Sequence, residues 1–331
     1  MQPGLAFRAP PGWYTGTRQI MKMKYAAMLL SICVSGANAQ QANTQSPNYV
    51  LPTGFVHTDE IPWGGAGAYG PGTSFRAVFT KDSGVFLDDL LRGMWVVKVD
   101  PGGQFTVTTS PKEDLAFFLS KGTGKFTLGD DQIDTKPGDA YGVPAGARYG
   151  LTNNGNEPVE LLMYAAPLTV ANPATKPAKG RADDMEWVPN TTHGPGCDQK
   201  MLLRGGFSSV IRNMWLMRGN PGSVNMVHSG GDHQIMYLWV APVPSPTPRD
   251  SRTYGARIIL RDHVMQARQG DAFYAGGAPR RDEHGLFDES PKDPLIYIAI
   301  GALPPGQGPG PGGGRGGRRG GEAGAPPPPG R

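Results

Sequence analysis

From Ser74 onward the chain alternates short apolar runs with polar and turn-forming residues. The runs are FRAVF, MWVVKV, FTVTT, LAFFL, KFTL and ELLMY. Each is about strand length, and each is bounded by Gly, Pro, Asp or Asn. No helical stripe of useful length interrupts them; DSGVFLDDLL comes nearest. Strands of this length with this punctuation predict an all-β sandwich or barrel. Residues 169–200 read as a linker, after which the strand pattern restarts at Met201.

The pattern occurs twice. Residues 90–119 lie over 210–239 without a gap at a shift of 120 positions (228 − 108). Arg92 then falls on Arg212, Trp95 on Trp215, Gly102 on Gly222, Thr108 on His228 and Phe117 on Tyr237. The alignment resumes at a shift of 132 (270 − 138), which lays KPGDAY on RQGDAF. The extra 12 residues fit the loop PVPSPTPRDSRTYG, 242–255. The chain therefore reads as two copies of one module. Only the second carries imidazoles at the matched positions.

Composition adjusts this picture at the two ends. The net charge of +4 invites a nucleic-acid reading. Four basic residues lie in 1–39 and four more in the tail, so 40–303 is left with 24 basic against 27 acidic residues (32 less 8, 28 less 1). A mildly acidic body gives no footprint for nucleic acid. MKMKYAAMLLSICVSGANA, 21–39, has a Lys-bearing start, an apolar middle and small residues before Gln40. It reads as a secretory signal, too short for a permanent membrane span. An exported, periplasmic or secreted protein is expected. Cys33 leaves with the signal, so Cys197 cannot form an internal disulfide. From Pro304 the chain has no apolar residue larger than Ala or Pro and reads as a disordered tail.

At this point the residues resemble the cupin family. In the first copy Gly138, Pro144, Gly146 and Asn153 fit that family's second motif, with Tyr149 at its His place. Thr108 and Ser110 stand at the His places of the first motif, and Asp114 at its acid place. In the second copy Gly222 leads to His228, the second His place is Gly230, and the acid place is Gln234. His284 and Asp288 follow where the family has His and Asn.

The resemblance implies an all-β fold of two cupin-like jelly-roll barrels with disordered termini, a bicupin. Its expected divisions are a leader at 1–39, an arm at 40–80, a degenerate barrel at 81–168, the linker, a second barrel at 201–303 and the tail. It implies a divalent ion (Fe, Mn, Ni, Cu or Zn) in the second barrel on His228 and His284, with Gln234 or His233 completing the set. Two imidazoles and one oxygen with open positions suit activation of dioxygen or a bound acid. Asp232 or Asp288 is the expected acceptor behind the ligating rings. Arg212 is the candidate catalytic residue, clamping a substrate carboxylate.

The leading reading is a metal-dependent oxygenase, decarboxylase or isomerase acting on a small organic acid, phenol or sugar. The alternative is a metal-free small-molecule-binding or structural module. His233 and Gln234 are strand neighbours, so one of them must face away from any shared site. His57, His193 and His263 lack partners at metal spacing and are expected at the surface. A homodimer stays open.

Overall fold

The computed structural model describes residues 54–80, 90–168, 175–229, 232–241, 256–277, 282–290 and 292–304. The expected signal, the arm before 54, the loop 242–255 and the tail beyond 304 lie outside the described residues, as does most of DSGVFLDDLL.

The described chain is built of strands, with two single turns of 3-10 helix at Thr58–Glu60 and Ala182–Asp184. The first group comprises β1 Phe55–His57, β2 Thr73–Thr80, β3 Gly93–Val99, β4 Gln104–Thr109, β5 Glu113–Lys121 and β6 Gly124–Leu128. It continues with β7 Asp131–Thr135, β8 Asp139–Val143, β9 Arg148–Thr152, β10 Val159–Pro167 and β11 Ala178–Arg181. The second group comprises β12 Val188–Pro189, β13 Cys197–Arg204, β14 Ile211–Gly219, β15 Val224–Ser229 and β16 His233–Val240. It ends with β17 Ala256–Leu260, β18 His263–Ala267, β19 Asp271–Ala275, β20 Glu283–Asp288 and β21 Leu295–Ala302.

Two barrels result, each a large sheet facing a small one. The order β11-β8-β5-β10-β3-β2 faces β4-β9-β6-β7. The order β1-β19-β16-β21-β14-β13-β12 faces β15-β20-β17-β18. Strand alternation sends one side of each large sheet into its own barrel and the other side out. Leu115, Phe117 and Leu119 of β5 line the first interior. Met236 and Leu238 of β16 line the second. The outward residues of both large sheets meet in a third core, in which Ala116, Phe118 and Tyr164 pack with Ile235, Tyr237 and Ile298. Each large apolar side chain buried there contributes roughly 1.5–3 kcal/mol, so the barrels are fixed back to back.

Leading strands are exchanged. β1 precedes the first barrel yet pairs with β19 of the second, with Val56 opposite Ala272. β11 precedes the second barrel yet pairs with β8 of the first, with Gly180 opposite Ala140. Each exchange ends in a polar side-chain pair at the corresponding place. His57 meets Asp271 at 2.8 Å, and Arg181 approaches Asp139 at 3.9 Å.

Two features of the sheets add to the sequence reading. β1 and β2, inside 40–80, and β11, β12 and the start of β13, inside 169–200, are sheet members. The FRAVF run marks β2 in the sequence, whereas turn-rich composition hides β11 and β12, because edge strands tolerate Gly and Pro. The gapless alignment also slips by one residue. Phe117 faces Tyr141 across β5 and β8, whereas Met236 faces Phe273 across β16 and β19. The partner of Phe117 is thus Met236, not Tyr237. The loop before β16 is one residue shorter, and a one-residue slip exchanges the faces of a strand. Leu115 corresponds to Gln234, and Asp114 to His233.

Candidate functional site

The site lies where β15 and β20 pair at one end of the second barrel. The register sets His228 directly opposite His284, just as Thr108 lies opposite Tyr149 in the first barrel. Both pairs follow a bulge, between Asn225 and His228 and between Phe105 and Thr108. A bulge re-aims the residues beyond it. The two imidazole centres are 4.4 Å apart with planes tilted by 55°.

Each ring is oriented through Nδ1. His228 Nδ1 lies 3.0 Å from the Met226 carbonyl, and His284 Nδ1 lies 3.1 Å from the Asp282 carbonyl. A proton on Nδ1 donated to a carbonyl leaves Nε2 as the lone-pair nitrogen. His284 is only 2% exposed, and its Nε2 is buried without a hydrogen-bond partner. Burial, then the neighbouring His228, pushes the His284 pKa down to about 4, so the ring is neutral at pH 7.

The loop carrying His284 is held from below. Arg261 grips Asp282 through two nitrogens at 2.9 and 3.0 Å, and Asp282 also accepts the Gly276 N–H. Arg261 is the only non-glycine with positive φ among the described residues, at 57°, and its counterpart in the first barrel is Gly129 at 65°. A left-handed non-glycine residue costs of order 1 kcal/mol or more. Here that strain brings a guanidinium onto the loop that aims His284.

A third imidazole completes the cluster. The ring centre of His193 stands 4.4 Å from that of His228. Burial, followed by His228 and His284, pushes the His193 pKa down to about 4, with Asn225 pulling weakly the other way. His193, expected at the surface, is half-buried, with its Nδ1 atom covered. A readable signal existed: His193-Gly-Pro-Gly repeats Tyr69-Gly-Pro-Gly at a shift of 124 (193 − 69). The two turns dock alike, Thr106 N–H on the Tyr69 carbonyl at 2.7 Å and Met226 N–H on the His193 carbonyl at 2.9 Å.

The other sequence candidates separate by face. His233 is buried on the outward side of β16, with Nδ1 2.9 Å from the Tyr274 hydroxyl. It points toward the core between the barrels and cannot substitute as a ligand beside His228. Gln234 shares the inward side of β16 with Met236 and Leu238. Asp288 accepts the N–H groups of Ser290 and Leu295 and pins their turn. Asp232 lies against Arg212, whose NH1 nitrogen is 3.2 and 3.4 Å from its oxygens. Backbone carbonyls therefore take the place expected of these two acids behind the rings. A Cβ on Gly301 would stand 3.2 Å from Asp232 Oδ2 and 3.1 Å from Trp215, which places the Arg212–Asp232 pair at the same end of the barrel as Gln234.

In the first barrel the corresponding space is closed. Tyr69 stacks on Phe105 at 4.9 Å, and Tyr149 packs on Phe105 at 5.8 Å and Phe117 at 5.5 Å. Among the described residues, no group of three or more His, Cys, Asp or Glu side chains is arranged to hold a metal ion. None of their helices is long and apolar enough to cross a membrane.

Comparison with known proteins agrees with this architecture. Residues 95–164 match the family model described as "Cupin domain". No match was found among curated proteins. Similar solved structures include Ylba from E. coli, at 12% identity and TM-score 0.59, covering 80% of this chain and 96% of that one. The oxalate decarboxylase of Lactobacillus farciminis, in its formate complex, is 11% identical with TM-score 0.55, covering 76% and 86%. A putative glyoxylate-induced protein from Pseudomonas aeruginosa is 13% identical with TM-score 0.54, covering 70% and 81%. At such identities the likeness concerns the fold, which is all-β with two cupin-like barrels.

Proposed function

We propose that this chain is an exported bicupin, two copies of one module, whose second barrel is a metal-dependent enzyme site for a small organic acid, phenol or sugar. The observation that carries the reading is the His228–His284 pair. Two imidazoles share one mouth, each holds Nδ1 on a carbonyl, and the Nε2 of His284 is buried with nothing to bond. An unsatisfied buried acceptor costs about 1–3 kcal/mol, a cost that a bound ion removes.

The donor set fits an imidazole-preferring divalent ion such as Fe, Mn, Ni, Cu or Zn. His228 and His284 hold it, and Gln234 adds a neutral amide oxygen from the inward side of β16. When bound, the ion supplies Lewis-acid or redox chemistry to a ligand beside it. The chain's own residues do the rest. Asp232 holds Arg212 at the mouth, where its guanidinium orients a substrate carboxylate. Asn225 donates to the Tyr297 hydroxyl and fixes the floor below the rings. The leader and the divided charge support export.

A metal-free binding module is the second reading, favoured by the lack of a third His, Cys, Asp or Glu converging on the pair among the described residues. Elemental analysis of the untagged protein, beside His228→Ala and His284→Ala, separates the two. About one equivalent of metal, lost in both variants, supports the enzyme site. No metal after reconstitution, with both variants as stable as the parent, leaves the binding module.

A further inference from the structure

We infer that His193, carried by the turn ahead of the second barrel rather than by either cupin-like motif, is the third imidazole ligand of the second-barrel site. The inference rests on the metal reading proposed above. That turn does the same thing in each barrel. Its residue 69 or 193 docks on the following edge strand through the same backbone bond. In the first barrel the residue is Tyr69, 6% exposed, with its ring stacked on Phe105. That turn is a plug.

In the second barrel the plug carries nitrogen. His193 Nδ1 is buried without a hydrogen-bond partner, as is Nε2 of His284. Tyr69 at the matching place leaves its hydroxyl oxygen without a partner but offers no ring nitrogen as a ligand. The sequence also leaves a ligand position open. Where the first motif has its second His place, this copy has Gly230, which brings no side chain.

The three nitrogens do not converge on one point in this structure. The rings are nevertheless already gathered. Imidazoles sharing an ion about 2.1 Å from each nitrogen have centres roughly 4.5–5 Å apart. His193 and His284 each stand 4.4 Å from His228. The turn itself is fixed by Asn190, which accepts the Thr192 N–H and donates to Gln199.

The test uses the full, untagged chain stripped by a chelator and titrated with Co(II), reading both affinity and the visible d–d spectrum. His193→Tyr, which restores the first barrel's plug, and His193→Ala are compared with His228→Ala and His284→Ala. Removing a ligand is expected to weaken Co(II) by more than the roughly 10–100-fold typical of residues behind the ligands. Both His193 variants should show that loss and an altered d–d band, while His193→Tyr keeps the parent's thermal midpoint. Parental affinity and spectrum in both His193 variants, with binding lost in His228→Ala and His284→Ala, would overturn the inference and leave the metal reading standing. No Co(II) binding by the parent overturns both.

Discussion

Apart from β12, the two barrels have the same strand pairings, with different interiors at corresponding places. Positions 69, 105, 108, 117 and 149 hold Tyr, Phe, Thr, Phe and Tyr, and their counterparts 193, 225, 228, 236 and 284 hold His, Asn, His, Met and His. The first set makes an aromatic cluster, the second a polar mouth with unpartnered nitrogens. One fold can thus spend the same positions on packing or on chemistry. Packing needs shape alone, whereas a site needs donors that the fold leaves unsatisfied.

The largest test of this contrast exchanges the two interiors. His228→Thr with His284→Tyr should abolish metal uptake in elemental analysis while circular dichroism keeps its strand signature. Next in size, Phe117→Ala removes an aromatic ring from the closed interior and should cost about 3–5 kcal/mol in denaturant unfolding, with metal content unchanged. A smaller cost there would mean that the first barrel is not packed as the ring contacts indicate.

The pH dependence bears on the second barrel. His284 holds its proton more weakly folded than unfolded. It therefore adds stability above pH 6.5 that is lost as pH falls from 6.5 toward about 4. Asp288 and Asp271, each pushed up to about 6 by burial, act with the opposite sign: their stabilisation is present at low pH and lost as pH rises through 6. His284→Asn, measured with chelator present, should flatten the acid limb by about 3 kcal/mol between pH 7 and 4. An unchanged limb would show that His284 is not held neutral by burial.

Arg261 gives a finer comparison. Arg261→Gly restores the first barrel's relaxed turn and frees Asp282. The expected result is an unchanged thermal midpoint with metal affinity weakened about 10-fold. The smallest effect concerns the paired tryptophans. Trp63 lies under Arg76 at 4.2 Å and Trp187 under Arg218 at 4.4 Å. Replacing either with Leu should cost only about 0.5–1 kcal/mol, and equally in the two barrels.

Much of this was legible along the chain. Period-two runs with Gly and Pro breaks gave the strands, and Trp95 over Trp215 gave the pairing of barrels. His228 and His284 followed from motif spacing, and the register sets them opposite each other. His233 and Gln234 were left undecided because period alone does not say which face of a strand is inward. His193 was missed because its turn lies at a shift of 124 rather than 120, inside a stretch read as linker. Arg261 was missed because nothing in a sequence announces positive φ at an arginine.

The sequence by itself determined the local elements, the two-barrel plan and two of the three gathered imidazoles, since these depend on periodicity and short-range spacing. Only the tertiary structure decided the rest. The exchange of leading strands, the one-residue shortening that turned His233 outward, and the approach of His193 to His228 join segments far apart in sequence. Whether such segments meet depends on which faces can be buried together, and that is settled only when both barrels are packed.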